Sequence, residues 1–144
     1  MHLERGREIC LTWSNSHSTL NIDFQNQNLK QVTITGLKTL EQHIVPSINA
    51  GAVQGRKPTP RVVAGFPVVV TANPDRAREL AAEVFAGYAQ IPSYRAMLDR
   101  EGVQGLGDLA IVGDENTVRS QLSRLESAGV TDLCAFPFEV DSGD

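Results

Sequence analysis

Residues 61–71, Arg-Val-Val-Ala-Gly-Phe-Pro-Val-Val-Val-Thr, limit most strongly how this chain can fold. The run is almost unbroken in apolar character and lies between Pro60 and Asn73-Pro74. A strand with one wet face alternates apolar and polar residues, whereas a continuous run leaves no face for water. The segment therefore predicts a strand covered on both sides, as in a parallel sheet between helices. Gly65 and Pro67 fall inside it, and both residue types weaken a ladder, so a bulge or bend is expected there. Residues 109–112 (Leu-Ala-Ile-Val) and the apolar run 130–138 predict two more strands of the same kind.

Helical patterns separate these runs. Asn73-Pro74-Asp75 predicts a helix start, with an N-cap side chain, proline at the first helical position and an acid at the positive end of the dipole. Ala77, Leu80, Ala81, Val84, Phe85 and Tyr88 give its apolar stripe. A second helix carries Tyr94, Met97 and Leu98, with Ser93 as its cap and Gly102 as its stop. Asp114 predicts the N-cap of a third, with Val118, Leu122 and Leu125 on one face and Gly129 as a left-handed terminator. Upstream, Thr39-Leu40-Glu41-Gln42 matches a capping box, and Leu40, Ile44, Val45, Ile48 and Ala52 follow at helical spacing. Gly51 or Gly55 would end that helix, and Pro46 inside it predicts a bend. Strands separated by amphipathic helices define an α/β class with right-handed crossovers.

The first thirty residues differ in kind. They are dominated from Thr12 onward by Ser, Thr, Asn and Gln, and alanine is absent before Ala50. Leu20, Ile22 and Phe24 alternate with polar neighbours, the period of a half-buried strand; a poorly ordered head is the competing reading. Residues 31–35 (Gln-Val-Thr-Ile-Thr) form a β-branched run stopped by Gly36. Residues 1–30 are thus a divergent polar head, 31–138 the α/β body and 139–144 an acidic tail.

With 144 residues, 41% of them apolar and 21% charged, the chain is one domain's worth of globular material. A net charge of -4 without a Lys/Arg cluster argues against nucleic acid or an anionic membrane as partner. No apolar segment reads as a signal peptide or membrane span, which points to the cytoplasm. Cys10 and Cys134 have no CxxC or His-rich spacing, so neither a disulfide framework nor a zinc site is indicated.

Signals for chemistry are weak. Gly102, Gly105 and Gly107 occur in the reverse order of a dinucleotide fingerprint and read as a loop. Gly113-Asp114 before a helix offers amides to an anion, but Asp114 and Glu115 would repel one, which favours capping. His43 reads as a locally bonded helical histidine, and Cys134 as a small buried hydrophobe. His17 with Ser14, Ser16, Ser18 and Asp23 supplies triad residue types without a triad's geometry, and Arg76 and Arg78 read as a solvated face. No catalytic residue and no metal ligand is assigned.

Several segments together resemble the C-terminal part of luciferase-like monooxygenases. These are Thr35-Gly36, residues 39–46, 61–68, Asn73-Pro74-Asp75, the long segment 88–102 (Tyr-Ala-Gln-Ile-Pro-Ser-Tyr-Arg-Ala-Met-Leu-Asp-Arg-Glu-Gly) and residues 109–115. The branch most similar is the oxidoreductases that depend on the deazaflavin coenzyme factor 420. The resemblance covers about residues 31–138, and segment 88–102 is its most specific piece. It implies a partial (β/α)8 TIM barrel of about three parallel strands with flanking helices. It also implies a flavin (FMN) or deazaflavin at the strands' C-terminal ends, where the coenzyme carries hydride-transfer chemistry and the protein positions it. Thr35 and Gly36 match the barrel's rim and are the cofactor-binding candidates.

A closed barrel typically takes about 250 residues. An open piece of one leaves unpaired edges and an uncovered inner face, so it should self-associate, meet a complementing chain or be repaired by the polar head adding a strand. Two functions follow: a truncated luciferase-like oxidoreductase, catalytically incomplete alone, or a non-enzymatic α/β remnant or oligomerising module.

Overall fold

The computed structural model describes residues 9–13, 20–23, 34–56, 58 and 61–140. Its centre is a five-stranded mixed sheet in the order β2-β1-β5-β3-β4. The strands are β1 (Ile9–Trp13), β2 (Leu20–Asp23), β3 (Val63–Val70), β4 (Ile111–Gly113) and β5 (Asp132–Pro137). The helices are α1 (Leu37–Thr39), α2 (Val45–Gln54), α3 (Pro74–Val84), α4 (Pro92–Glu101) and α5 (Glu115–Ser127). β3 pairs in parallel with β5 on one side and β4 on the other, so the three apolar runs form the parallel part as the sequence predicts. Helices cover both faces. Ala64, Phe66, Ile111, Leu133 and Ala135 pack with Leu40 of the first helical segment and with Val118 and Leu125 of α5. On the opposite face Val112 and Val69 meet Ala77 and Ala81 of α3, while Phe136 meets Met97 and Leu98 of α4.

The connections leave β3 and β4 toward opposite faces, and β5 returns across β3 rather than adding beside β4. The parallel strands therefore do not follow one another consecutively, as strands do in a barrel wall. Beyond β5 the sheet continues with β1 and β2. β1 pairs antiparallel with the free edge of β5, and β2 with β1, so two head strands extend the sheet where one half-buried strand is expected. Phe24 and residues 31–33 lie outside the described residues; Ile34 makes a single parallel bridge to Gly65. The β1–β5 register sets Cys10 opposite Cys134, two residues whose sequence surroundings gave no reason to connect them.

No bulge or bend forms at Gly65 and Pro67. β3 runs in step with β5 from Val63↔Asp132 to Val68↔Pro137. The reason lies on the other edge, where Gly65 accepts from Thr35 N–H and Thr71 donates to Gly113. Backbone groups alternate sides along a strand, so the nitrogen of Pro67 faces the interval between the Ile34 bridge and the start of β4. There the ladder has a gap, and the missing donor costs little.

The local rules for helix ends hold at several positions. Asn73 Oδ1 accepts from Arg76 N–H at 3.2 Å, and Asp114 Oδ1 from Thr117 N–H at 2.7 Å. Gly102 (φ 77°) and Gly129 (φ 97°) take the left-handed conformation just beyond their helices. At α4, Ile91 occupies the N-cap and makes no side-chain cap bond; Ser93 sits inside the first turn. Pro46 produces a widened turn, not a simple bend. Residues Leu40–Ile44 form a π turn in which Val45 N–H reaches Leu40 O, giving the proline ring room against the preceding carbonyls.

Candidate functional site

The chain leaves the sheet at Thr35 and enters α1 through Gly36. The expected capping box at Thr39 does not form, because the helix begins at Leu37, nearly one turn earlier, with the extended Gly36 as N-cap. The acceptor for its free amides comes instead from α4. Glu101 takes hydrogen bonds from Lys38 N–H at 3.2 Å (Oε2) and Thr39 N–H at 2.5 Å (Oε1). A carboxylate at a helix N-terminus satisfies orphan donors and opposes the dipole's positive end. It also packs on Gly36 so closely that an added Cβ would fall on the Glu101 side chain.

Two cavities flank this helical segment. The larger, about 490 Å³, lies where the ladder beside β3 is interrupted. Phe66, Ala110 and Ile111 form its floor, and its rim carries both signs of charge: Lys38, Arg78 and Arg124 with Glu41, Glu101 and Asp108.

The smaller, about 210 Å³, lies between the π turn and α4 and is lined by Ile34, Thr35, Thr39, His43, Ile44, Ser93, Tyr94, Met97 and Arg100. Thr35 reaches the cleft from the strand end and Thr39 and His43 from the helical segment that follows; Ser93, Tyr94, Met97 and Arg100 form the facing stripe of α4. Tyr94 is fixed edge-on against Tyr88, with ring centroids 5.1 Å apart, and Phe85 ties that pair to Phe136 on β5. Burial raises the Tyr94 phenol above its ordinary pKa; the Ile34 backbone amide opposes this in part, and Tyr88 adds to it.

Thr35 and Thr39 are 6% and 3% exposed, and neither hydroxyl has a hydrogen-bond partner. Among the described residues these are the buried side-chain polar atoms left unsatisfied. Each such hydroxyl costs about 1–3 kcal/mol when nothing bonds it. Among the described residues no carboxylate lines this cleft, although the chain carries net charge -4.

Of the two cofactor candidates, Thr35 lines the cleft, whereas Gly36 is buried beneath Glu101 and does not. Sequence reasoning missed Thr39, Ser93, Tyr94 and Arg100 as lining residues and gave His43 only local contacts. His17 and its serine neighbours lie outside the described residues. Gly107 is more than a loop residue: an added Cβ would meet the Arg78 carbonyl and Ala82 of α3, so its place is set by close packing. Asp114 caps its own helix, and the Thr117 hydroxyl and amide lower its pKa. Arg76 and Arg78 pair with Glu79 and Asp75 at 3.2 and 3.1 Å on the surface of α3.

Among the described residues no group of three His, Cys, Asp or Glu side chains converges as a metal site, and no helix is long and apolar enough to cross a membrane. No protein-family model, no curated protein and no solved structure matches this chain.

Proposed function

We propose that this chain is the C-terminal part of a luciferase-like flavin- or deazaflavin-dependent oxidoreductase, supplying one rim of the coenzyme site and incomplete for turnover by itself. The observation that carries this reading is the place of Thr35, a residue at the end of a strand segment that lines the cleft and whose buried hydroxyl has no partner. In support, two of the segments that resemble the family, 39–46 and the most specific one, 88–102, supply lining residues to that cleft. On this reading the sheet is a rearranged piece of an eight-stranded barrel, because β5 pairs with β3.

The residues fit part of such a coenzyme. Ile34, Ile44 and Met97 offer apolar surface to a planar ring, and the Thr35 and Thr39 hydroxyls and the Tyr94 phenol can bond its polar edge. A volume of about 210 Å³ falls short of the roughly 300 Å³ at which pockets begin to enclose a whole drug-sized ligand, so the remainder lies outside this cleft. Gly36 offers no cradle, since Glu101 already fills its open side. When bound, the coenzyme supplies hydride transfer; this chain's groups orient it and exclude water from one edge.

Titration of FMN and of the deazaflavin coenzyme with the chain, followed by fluorescence quenching, tests the reading. Saturable binding at micromolar protein, weakened about tenfold by Thr35→Val, is expected. Absence of binding at far higher concentration would refute it. The second reading, an oligomerising module without catalysis, draws on the edge strand β2 and on the exposed apolar side chains Val84, Tyr88 and Ile91. Sedimentation showing a stable dimer with no coenzyme binding would favour it.

A further inference from the structure

We propose that Cys10 and Cys134 form a cross-strand disulfide, a redox-controlled covalent tie between the head strands and the α/β body. The inference concerns the sheet and not the cleft, and it is independent of any coenzyme.

The chain has two cysteines, one in the polar head and one in the last strand. The antiparallel ladder between β1 and β5 sets them directly opposite each other, between the pairs Ile9↔Ala135 and Leu11↔Leu133. Opposite Cα atoms in such a ladder are about 5.5 Å apart at hydrogen-bonded positions and about 4.5 Å apart at the others. A disulfide spans Cα separations of about 4.4–6.8 Å, so either kind of position lets the bond form without moving a strand. Register matters as much as distance. Directly opposite residues share a face of the sheet, whereas a slip of one residue would send the pair to opposite faces.

The setting of Cys134 suits a bond toward β1. Leu133 and Ala135 pack against α5, so Cys134 belongs to the other face of β5. Its register partner on β3 is Gly65, so the neighbour on that side takes up no side-chain space. The bond would close nearly the whole chain into one loop, the case in which a crosslink removes most freedom from the unfolded state. It would also hold β1 over the edge of β5, which is open to pairing with another chain whenever the head lifts.

The oxidant is a small-molecule disulfide such as oxidised glutathione. One cysteine thiolate attacks a glutathione sulfur and releases the first glutathione; the second cysteine then attacks the mixed disulfide at the protein sulfur and releases the other. The protein thiols are oxidised to one disulfide, the glutathione disulfide is reduced to two thiols, and the protons pass from the first pair to the second. A reducing compartment keeps the pair as thiols, and an oxidising shift closes it.

Equilibration of the full chain in mixtures of reduced and oxidised glutathione, followed by acid quenching, alkylation and intact mass measurement, tests the proposal. Because Cys134 is 1% exposed, a parallel sample is unfolded in urea and refolded in the same mixtures, so that burial does not decide the result. Expected are a monomer lighter by two hydrogen atoms with no alkylated cysteine, and a peptide map joining the segments that carry Cys10 and Cys134. The Tm of this form should lie roughly 10 °C above that of the reduced chain. Cys10→Ser should abolish closure and make Tm indifferent to the glutathione ratio. In Cys10→Ser/Leu11→Cys the thiol stands one residue along β1, on the other face of the pleat, and should stay unlinked to Cys134. Two alkylatable thiols in excess oxidised glutathione in both samples, glutathione adducts or disulfide dimers in place of the internal bond, or equal closure in the Leu11→Cys variant would overturn the proposal.

Discussion

Removing the Glu101 carboxylate should loosen the entire entry to the first helix. The carboxylate accepts from two amides that have no other acceptor within the helix, at 3.2 and 2.5 Å. The Lys38 contact is exposed, so water can replace it, and it contributes only a few tenths of a kcal/mol. The Thr39 contact is partly buried, and an amide left there without a partner costs about 1–2 kcal/mol. Loss of a negative charge from the dipole's positive end adds about 0.5 kcal/mol. Glu101→Ala should therefore destabilise the chain by about 2 kcal/mol, which for 144 residues lowers Tm by about 8 °C. Glu101→Gln keeps an acceptor and loses only the charge, so it should cost about 0.5–1 kcal/mol. Urea unfolding followed by circular dichroism reads both values. Amide hydrogen exchange at residues 37–40 should quicken before the rest of the fold does. An alanine variant within about 0.5 kcal/mol of the parent, or a glutamine variant as unstable as alanine, would refute the cap as the source of this stability.

Asp132 is fully buried, is paired with Arg61 and accepts from the Thr131 hydroxyl at 2.7 Å, so Asp132→Ala should cost about 3 kcal/mol in urea unfolding. Arg61→Ala should cost clearly less, because half of the Arg61 side chain is in water and Thr131 remains on the carboxylate. The raised Tyr94 pKa means that the folded chain holds its phenolic proton more tightly than the unfolded chain. That stability is complete below the ordinary tyrosine pKa of about 10 and is lost as pH rises from there through the raised value; Tyr94→Phe should flatten this alkaline decline in unfolding free energy. For Asp114 the sign is opposite: with a lowered pKa its contribution is present above the ordinary carboxylate range and disappears as acid titrates through the folded value, a loss that Asp114→Asn should abolish in an acid unfolding series. Thr39→Val, nearly isosteric, should raise stability in the absence of ligand by about 1 kcal/mol, read from the urea midpoint.

What was legible in the sequence is what short-range chemistry decides. Asn73, Asp114, Gly102 and Gly129 act within three or four residues, and each stands at the helix end its residue type predicts. The three apolar runs likewise show their burial directly, since a strand covered on both faces needs no partner named in advance. Features that depend on distant segments were not legible. The cap on the first helix comes from Glu101, 62 residues beyond Thr39, and its arrival turns a plausible capping threonine into an unpaired one. Pro67 reads as a disruption until the edge it faces is known. Strand order is hidden for the same reason, because pairing β5 with β3 instead of β4 changes no local pattern. Of the cleft, Thr35 entered only through the family resemblance. Arg100 and Ser93 were hidden because a polar face on a short helix usually means solvent.

The two unpaired hydroxyls set a condition that packing alone does not explain. Valine has almost the shape of threonine, so a site under selection for stability alone would lose little volume and recover about 1–3 kcal/mol at each position by giving up the hydroxyl. Retaining both makes sense if the compensating bond comes from outside the chain. The size of that compensation is testable against general linkage: a ligand present at one hundred times its Kd stabilises the folded state by about 2.7 kcal/mol. This is of the same order as the combined cost of Thr35 and Thr39. The unliganded valine variants and the liganded parent should therefore unfold at comparable temperatures, whereas ligand should move the valine variants little. Stability lost to polar groups held ready for a ligand is a common pattern at binding sites. Here both unpartnered hydroxyls belong to residues that line the same cleft.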